Sequence, residues 1–376
     1  MKILFISHDA TLTGAPILLL NLANALHDLH ELSIKIIVKN NIGVLQKDFE
    51  KIGDVLYFNT PTQKKSGRLR NILPGSKTKK NNDKIQDWIN EADIIFSNTI
   101  TNGDILNYFH FPKSKVVISY VHELQIASEF YTNDADRKVV FEKTNIFCVP
   151  SRSVRHFLEN TYGIDPGKIK TLNYYLPLNN EAVVRQTKKK MDVFIVGMIG
   201  TLDWRKGAEL LSVILVNFFD KHPDADVQFL WKGSNKLSIE YKRIQYELEK
   251  TGHLDKVIFE SPSRDVSAFY NTIDLLLLCS KEDPYPLVVL EAAGFQKPCI
   301  CFDKAGGAPE FVRNDAGYTV PYLNINAVTD AIYSLYSDPA NCITKGEIAY
   351  KRYLDENNNK LLVQAQFREL FTSINS

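Results

Sequence analysis

No apolar run in this chain approaches the ~20 residues that a membrane-spanning helix needs. The opening residues, Met-Lys-Ile-Leu-Phe-Ile-Ser-His-Asp, hold too short an apolar run for a secretory leader and read as a first strand. A dominant charge is missing too. Lys and Arg together number 45 against 44 Asp and Glu, a net charge of +1, so no global field draws the chain to nucleic acid. Cysteine is scarce, with five residues: Cys148, Cys279, Cys299, Cys301 and Cys342. Four lie in or beside apolar stretches, where a thiol behaves as a small hydrophobe. Cys299-Ile-Cys301 lacks the two-residue spacer of a zinc clip and no His pair follows it. The set reads as reduced structural thiols in a cytoplasmic protein. The Gly-x-Gly-x-x-Gly fingerprint is also absent. The first strand exit, Ser7-His-Asp-Ala-Thr-Leu-Thr-Gly14-Ala-Pro16, has one glycine, which argues against a dinucleotide-binding half of the usual kind.

What is present is an ordinary globular composition, 44% hydrophobic and 24% charged, in a chain of 376 residues, long enough for two cores. Short apolar strands alternate with longer amphipathic segments, the mark of parallel α/β layers. Strand candidates in the first half are Lys2–Ser7, Ser33–Lys39, Val55–Asn59, Ile94–Ser97, Val116–His122 and Ile146–Pro150. A helix is expected from about Pro16, with Leu18, Leu22, Ala25, Leu26 and Leu29 on one face. A second series comprises Val193–Met198, Val227–Lys232, Val257–Glu260, Leu275–Cys279 and Cys299–Phe302. The polar stretch 178–190, without a clear period, reads as a linker between a domain at 1–177 and another at 191–356. A last helix is expected over about Lys360–Ile374. Residues 61–84 carry eight Lys and Arg against Asp83 alone, and their Pro and Gly content predicts a loop. Such a loop is either solvated or suited to an anionic membrane surface or a phosphate-bearing acceptor.

In open parallel sheets, ligands bind beyond the carboxyl ends of the strands. The most informative exit is Ser280-Lys-Glu-Asp-Pro-Tyr-Pro-Leu-Val-Val-Leu-Glu291-Ala-Ala-Gly294. Pro286 stands where a helix would begin, and the free N–H groups of a helix start suit an anion. Asp283 and Glu291, eight positions apart, can address different parts of one elongated ligand. The second domain opens with Gly197-Met-Ile-Gly200-Thr201-Leu-Asp-Trp-Arg205-Lys206-Gly207. A strand, a Gly turn and two adjacent cations at a helix start suit a diphosphate, and fixed positive charge stabilises an anionic leaving group. Gly306-Gly307-Ala308-Pro309-Glu310 reads as a further backbone cradle for an anion. Val121-His122-Glu123 places an imidazole and a carboxylate at a strand end. Asp134-Ala-Asp136 and Asp224-Ala-Asp226 match a metal-holding form, but their positions speak against that role.

Together these residues resemble the retaining glycosyltransferases of the GT-B fold, in the family that includes sucrose synthase and bacterial mannosyltransferases. The resemblance covers essentially the whole chain and is strongest at Gly200–Gly207, Asp283–Gly294 and Gly306–Glu310. It implies an α/β protein of two facing Rossmann-like parallel-sheet domains with an interdomain cleft, the C-terminal helix, about 357–376, crossing back to complete the first. By the family's pattern Lys206, helped by Arg205, binds the donor phosphates, and Glu291 binds the nucleotide ribose. Asp283 approaches the transferred sugar, backbone N–H groups near Leu287 and Val288 hold the diphosphate, and Pro286, Gly200 and Thr201 line the donor site. Gly14 lines the donor cleft and His122 sits near the sugar's hydroxymethyl edge. The chain departs from the pattern in having Asp283 where the family's first paired acid is Glu, and Thr201 where an Arg commonly follows the glycine.

The resemblance implies a cytoplasmic, metal-independent hexosyltransferase with no cofactor beyond its UDP- or GDP-sugar donor. Its acceptor is expected to be a glycan or lipid-linked hydroxyl in surface polysaccharide, lipopolysaccharide or related assembly, with the basic segment 61–84 touching anionic membrane. The alternatives are a sugar-nucleotide 2-epimerase and a catalytically silent nucleotide-sugar-binding subunit.

Overall fold

The computed structural model describes residues 1–40, 42–58, 76–178 and 193–375. The chain divides into two compact units, one of Met1–Pro150, Val154–Tyr175 and Lys360–Ser376, the other of Ser151–Ser153 and Leu176–Asn359.

The first unit is built on strands β1 (Lys2–Ser7), β2 (Ser33–Lys39), β3 (Asp54–Phe58), β4 (Ile94–Asn98), β5 (Val116–Tyr120), β6 (Ile146–Val149) and β7 (Ile169–Thr171). Their order across the sheet is β3-β2-β1-β4-β5-β6-β7, with every pairing parallel. Helices α1 (Gly14–His27), α2 (Gln46–Glu50), α3 (Ser76–Glu91), α4 (Gly103–Tyr108), α5 (Gln125–Tyr131), α6 (Asp134–Lys143) and α7 (Arg152–Tyr162) fall between the strands in chain order. Strand β1 is apolar because helices cover both of its faces: Ile3 to Ile6 are all buried. The order reverses between β1 and β4, so the crevice beyond their carboxyl ends is the topological switch point.

The second unit has β8 (Phe194–Ile199), β9 (Val227–Lys232), β10 (Val257–Glu260), β11 (Leu275–Leu278), β12 (Cys299–Phe302) and β13 (Gly317–Val320), ordered β10-β9-β8-β11-β12-β13 and again all parallel. Its helices are α8 (Leu210–Lys221), α9 (Ile239–Thr251), α10 (Ser267–Thr272), α11 (Leu287–Gly294), α12 (Ala308–Val312), α13 (Ile325–Ser337) and α14 (Pro339–Glu356). Leu211, Ile214, Leu215 and Phe218 of α8 pack into a core with Phe229, Trp231 and Leu275. The switch point here lies between β8 and β11. The last helix, α15 (Lys360–Asn375), belongs to the first unit. There Gln364 Nε2 donates to the Ala25 carbonyl of α1 (2.6 Å), and the Phe367 ring lies 5.8 Å from Phe96.

The strands lie where the apolar runs place them, to within two residues. Two expectations are corrected. Residues 76–84 of the basic segment form the first turns of α3 rather than a loop, because their Lys and Asn residues are compatible with a helix whose Ile85, Trp88 and Ile89 face the core. Residues 61–75, and the linker 178–190 apart from Leu178, lie outside the described residues. Helix α8 starts at Leu210, so Arg205 and Lys206 stand in the turns before it rather than at its first residues. Strands β7 and β13, at the sheet edges, were not anticipated.

Candidate functional site

The second unit gathers its charged candidates at the switch point. The segment after β8 is tied to the segment after β11 by backbone: Lys281 N–H donates to the Arg205 carbonyl (2.8 Å). Lys206 N–H donates to the Asp203 carboxylate (2.9 Å), which fixes where its side chain leaves the turn. The Lys206 ammonium then reaches Asp283 Oδ2 at 2.6 Å, while the Arg205 guanidinium lies 3.7 Å from the same oxygen and donates to the Glu282 carbonyl at 3.2 Å. Ser280 Oγ stands 3.4 Å from that oxygen. The Lys206 and Asp283 side chains are 14% and 9% exposed, so this is a nearly buried pair. Removing one partner of such a pair leaves the other uncompensated, at a cost of ~3–5 kcal/mol.

Gly200 sits at φ +141°, and a Cβ there would come within 3.2 Å of the Lys206 stem. The lysine thus runs over bare backbone. The Gly200 amide donates to the Lys232 carbonyl and its carbonyl accepts from the Trp231 indole, each at 2.9 Å, so this backbone is already spent. The Thr201 hydroxyl is bonded to the Asp203 carboxylate.

Asp283 precedes helix α11, for which Pro286 is the N-cap; Glu291 lies within it. The two acids therefore do not share one helix face as a continuous helix would place them. Val289 N–H bonds the Pro286 carbonyl (3.1 Å), leaving the Leu287 and Val288 amides as donors the helix itself cannot satisfy. Glu291 is half-buried, and its Oε2 accepts from the Tyr270 hydroxyl at 2.6 Å. Burial pushes the Glu291 carboxyl above the ordinary value, the Tyr270 bond and Lys206 opposing the shift. Tyr270, which the sequence analysis missed, is fully buried on α10.

The Gly306-Gly307 pair does not form a free cradle. Gly306 pairs with Asp283 in a parallel bridge, and the Gly307 amide donates to the Asp283 carbonyl (3.1 Å). At φ +138°, a Cβ on Gly306 would fall 1.8 Å from that carbonyl oxygen. These glycines permit a close approach that positions Asp283. The two Asp-x-Asp pairs serve local structure: Asn133 caps α6 by accepting from Asp136 N–H, Arg137 pairs with Asp134, and the Asp226 carbonyl accepts from Phe194.

In the first unit, Gly14 is the exposed first residue of α1. His122 lies two residues beyond β5. Asn98 Nδ2 donates to the Ala15 carbonyl (2.9 Å), so its Oδ1 accepts from His122 Nε2 (2.7 Å). His122 Nδ1 then accepts from the Tyr174 hydroxyl (2.8 Å). Both ring nitrogens are engaged, and burial holds the imidazole neutral, its pKa lowered to about 3. Such a ring is a fixed hydrogen-bonded element, not a proton carrier at neutral pH. Glu123, buried beside it, accepts from the amides of His122 (2.9 Å) and Ile100 (3.3 Å). Burial raises its carboxyl to about 7. Between them Thr99 takes φ +86°, a strained conformation for a β-branched residue, bonded through its hydroxyl to Thr101 N–H (3.0 Å).

Two parallel sheets of these orders, each with its polar side chains at a switch point, define a class. The chain is similar in structure to Anabaena HepE, solved in complex with UDP, with a TM-score of 0.77 and 18% identity over 99% of this chain and 100% of that one. The fold is GT-B. Residues 179–353 match the model described as Glycosyl transferases group 1. Among curated relatives, D-inositol 3-phosphate glycosyltransferase of Corynebacterium glutamicum (strain R) is 23% identical over 257 residues, 62% of this chain and 61% of that protein. The lipopolysaccharide core biosynthesis mannosyltransferase LpcC of Rhizobium leguminosarum bv. viciae is 22% identical over 163 residues, 42% and 45% of the respective chains. The chain thus spans about half to three-fifths of the length of these relatives. Among the described residues, no helix is long and apolar enough to cross a membrane.

Proposed function

We propose that this protein is a retaining hexosyltransferase that moves a sugar from a UDP- or GDP-sugar to an acceptor hydroxyl. The observation that carries the reading is the joining of Lys206, Arg205 and Asp283 at the β8/β11 switch point, in the same unit as the donor amides of α11 and Glu291. In this scheme Lys206 and Arg205 neutralise the diphosphate as it leaves, and the Leu287 and Val288 amides take its remaining oxygens. Glu291 accepts from the ribose hydroxyls, and Asp283 holds Lys206 while approaching the transferred sugar. The bond from the anomeric carbon to the phosphate oxygen breaks as the acceptor oxygen bonds on the same face. The acceptor's proton passes to the departing phosphate oxygen, so no side chain is needed as base. In the first unit, Gly14 serves the donor and His122, as a neutral ring, the sugar's hydroxymethyl edge.

The relative LpcC, named for lipopolysaccharide core biosynthesis, supports an acceptor in surface glycan assembly. A cytoplasmic location, a metal-independent reaction and membrane contact through 61–84 complete the reading. Its test is a thermal-shift panel of UDP, GDP, ADP and their sugars. A ligand at ~100 times its dissociation constant adds ~2.7 kcal/mol of stability. No shift with any of them, or equal turnover in Lys206→Ala and wild type, overturns it.

A further inference from the structure

A half-buried carboxylate that must receive two hydroxyls has to be held in one rotamer, because a free Glu side chain samples many. Nothing on α11 itself supplies that restraint: Glu291 is the single acid of the helix, and its helical neighbours are Val, Leu and Ala. The restraint comes from α10. The Tyr270 ring is fully buried and stacks on Phe295, with centroids 5.4 Å apart and planes 24° from parallel. Phe295 is the C-cap of α11, so the phenol is clamped against the helix that carries the acid. Its hydroxyl lies 2.6 Å from Glu291 Oε2 and 3.4 Å from the Val288 carbonyl, one turn back on the same helix. Burial and the neighbouring carboxylate both keep the phenol protonated, so the hydroxyl donates and the carboxylate accepts. One carboxylate oxygen is thereby occupied by the protein, and the rotamer is set for the other.

We propose that Tyr270 is a positioning residue for nucleotide recognition: it holds Glu291 so that the carboxylate meets the donor's ribose hydroxyls, and thereby sets the preference for ribose over deoxyribose. This rests on the assignment of Glu291 to the ribose. Tyr270 itself touches no ligand in this scheme. A hydrogen bond to a charged group is worth enough that its loss changes affinity about tenfold or more.

The experiment measures, by titration calorimetry on the full chain, the affinity of UDP, GDP and ADP and of the 2′-deoxy and 3′-deoxy forms of whichever binds. Wild type, Tyr270→Phe and Glu291→Gln are compared, with thermal unfolding as a check on folding. Phenylalanine keeps the ring and its stacking on Phe295, so the variant loses the hydroxyl alone. The expected result is a preference for the ribonucleotide of about tenfold in wild type, reduced to within about twofold in Tyr270→Phe, with deoxynucleotide affinity unchanged. Glu291→Gln loses the same preference. If Glu291→Gln loses it and Tyr270→Phe keeps it, the positioning role is overturned while the ribose assignment stands. If Glu291→Gln keeps it, or wild type binds none of the three nucleotides, the assignment beneath falls as well. A Tyr270→Phe variant that weakens ribo- and deoxynucleotide equally has a general structural effect, which also overturns the proposal.

Discussion

The two switch points of this molecule sit at equivalent places in two similar sheets and carry different chemistry. In the second unit the β8/β11 exits hold two cations, each within 3.7 Å of one carboxylate oxygen. In the first, the ends of β4 and β5 hold a hydrogen-bonded network of Asn98, a neutral His122 and Tyr174, beside a carboxyl lifted to about 7. One topology therefore supplies a place, and the loop residues decide whether that place is ionic or neutral. The ionic site matches a ligand that brings its own negative charge. The neutral one matches groups that only donate and accept hydrogen bonds.

Lys206→Ala tests the contrast hardest. If the ionic switch point stabilises a leaving diphosphate, turnover falls by about 10²- to 10³-fold, the ~2.7–4 kcal/mol that one such donor supplies. A nucleotide-release assay reads it. The neutral switch point is sharpened by pH. Glu123 binds its proton more tightly when folded (about 7) than at its ordinary value of 4.5, so stability falls as pH rises from 4.5 through 7. The full loss is about 3 kcal/mol at 1.36 kcal/mol per unit. Chemical denaturation at pH 5 and pH 8 should show that fall, and Glu123→Gln should flatten it. His122→Phe strips Asn98 and Tyr174 of their shared partner and should cost ~1–3 kcal/mol in urea, with no change in how activity depends on pH near 6.5. An activity limb near 6.5 that disappears in the variant would contradict the neutral ring. The smallest effect is expected for Glu291→Gln, about a tenfold rise in donor KM at nearly constant kcat.

Much of this was legible in the sequence. Runs such as Leu275–Leu278, apolar at every position, announce strands covered on both faces, and their exits name where ligands sit. The pairing of Lys206 with Asp283 was not legible, because 77 residues separate them and their loops meet through the parallel register of β8 and β11. Strand β7, three residues long, and β13, which opens on Gly317, carry too little apolar signal to be found. Gly306 looked like an anion cradle because a glycine needed for close packing and one needed for a ligand read alike. The hydrogen bonds of His122 were not legible, because its partners, Asn98 and Tyr174, are distant in sequence and silent as motifs. Tyr270 left no signal beyond being one of two adjacent aromatics on a six-residue helix.

Helix α15 gives the chain an order of events that its length alone does not suggest. Through Gln364 and Phe367 it fastens to α1 and β4, elements made hundreds of residues earlier, after the intervening 176–359 unit has been synthesised in full. Translation usually lets the leading domain mature before the trailing one. Here the leading domain waits with part of its apolar surface uncovered, and the trailing one is free to finish first. Ribosome stalling or a stop codon just before residue 360 would therefore damage the beginning of the protein rather than its end.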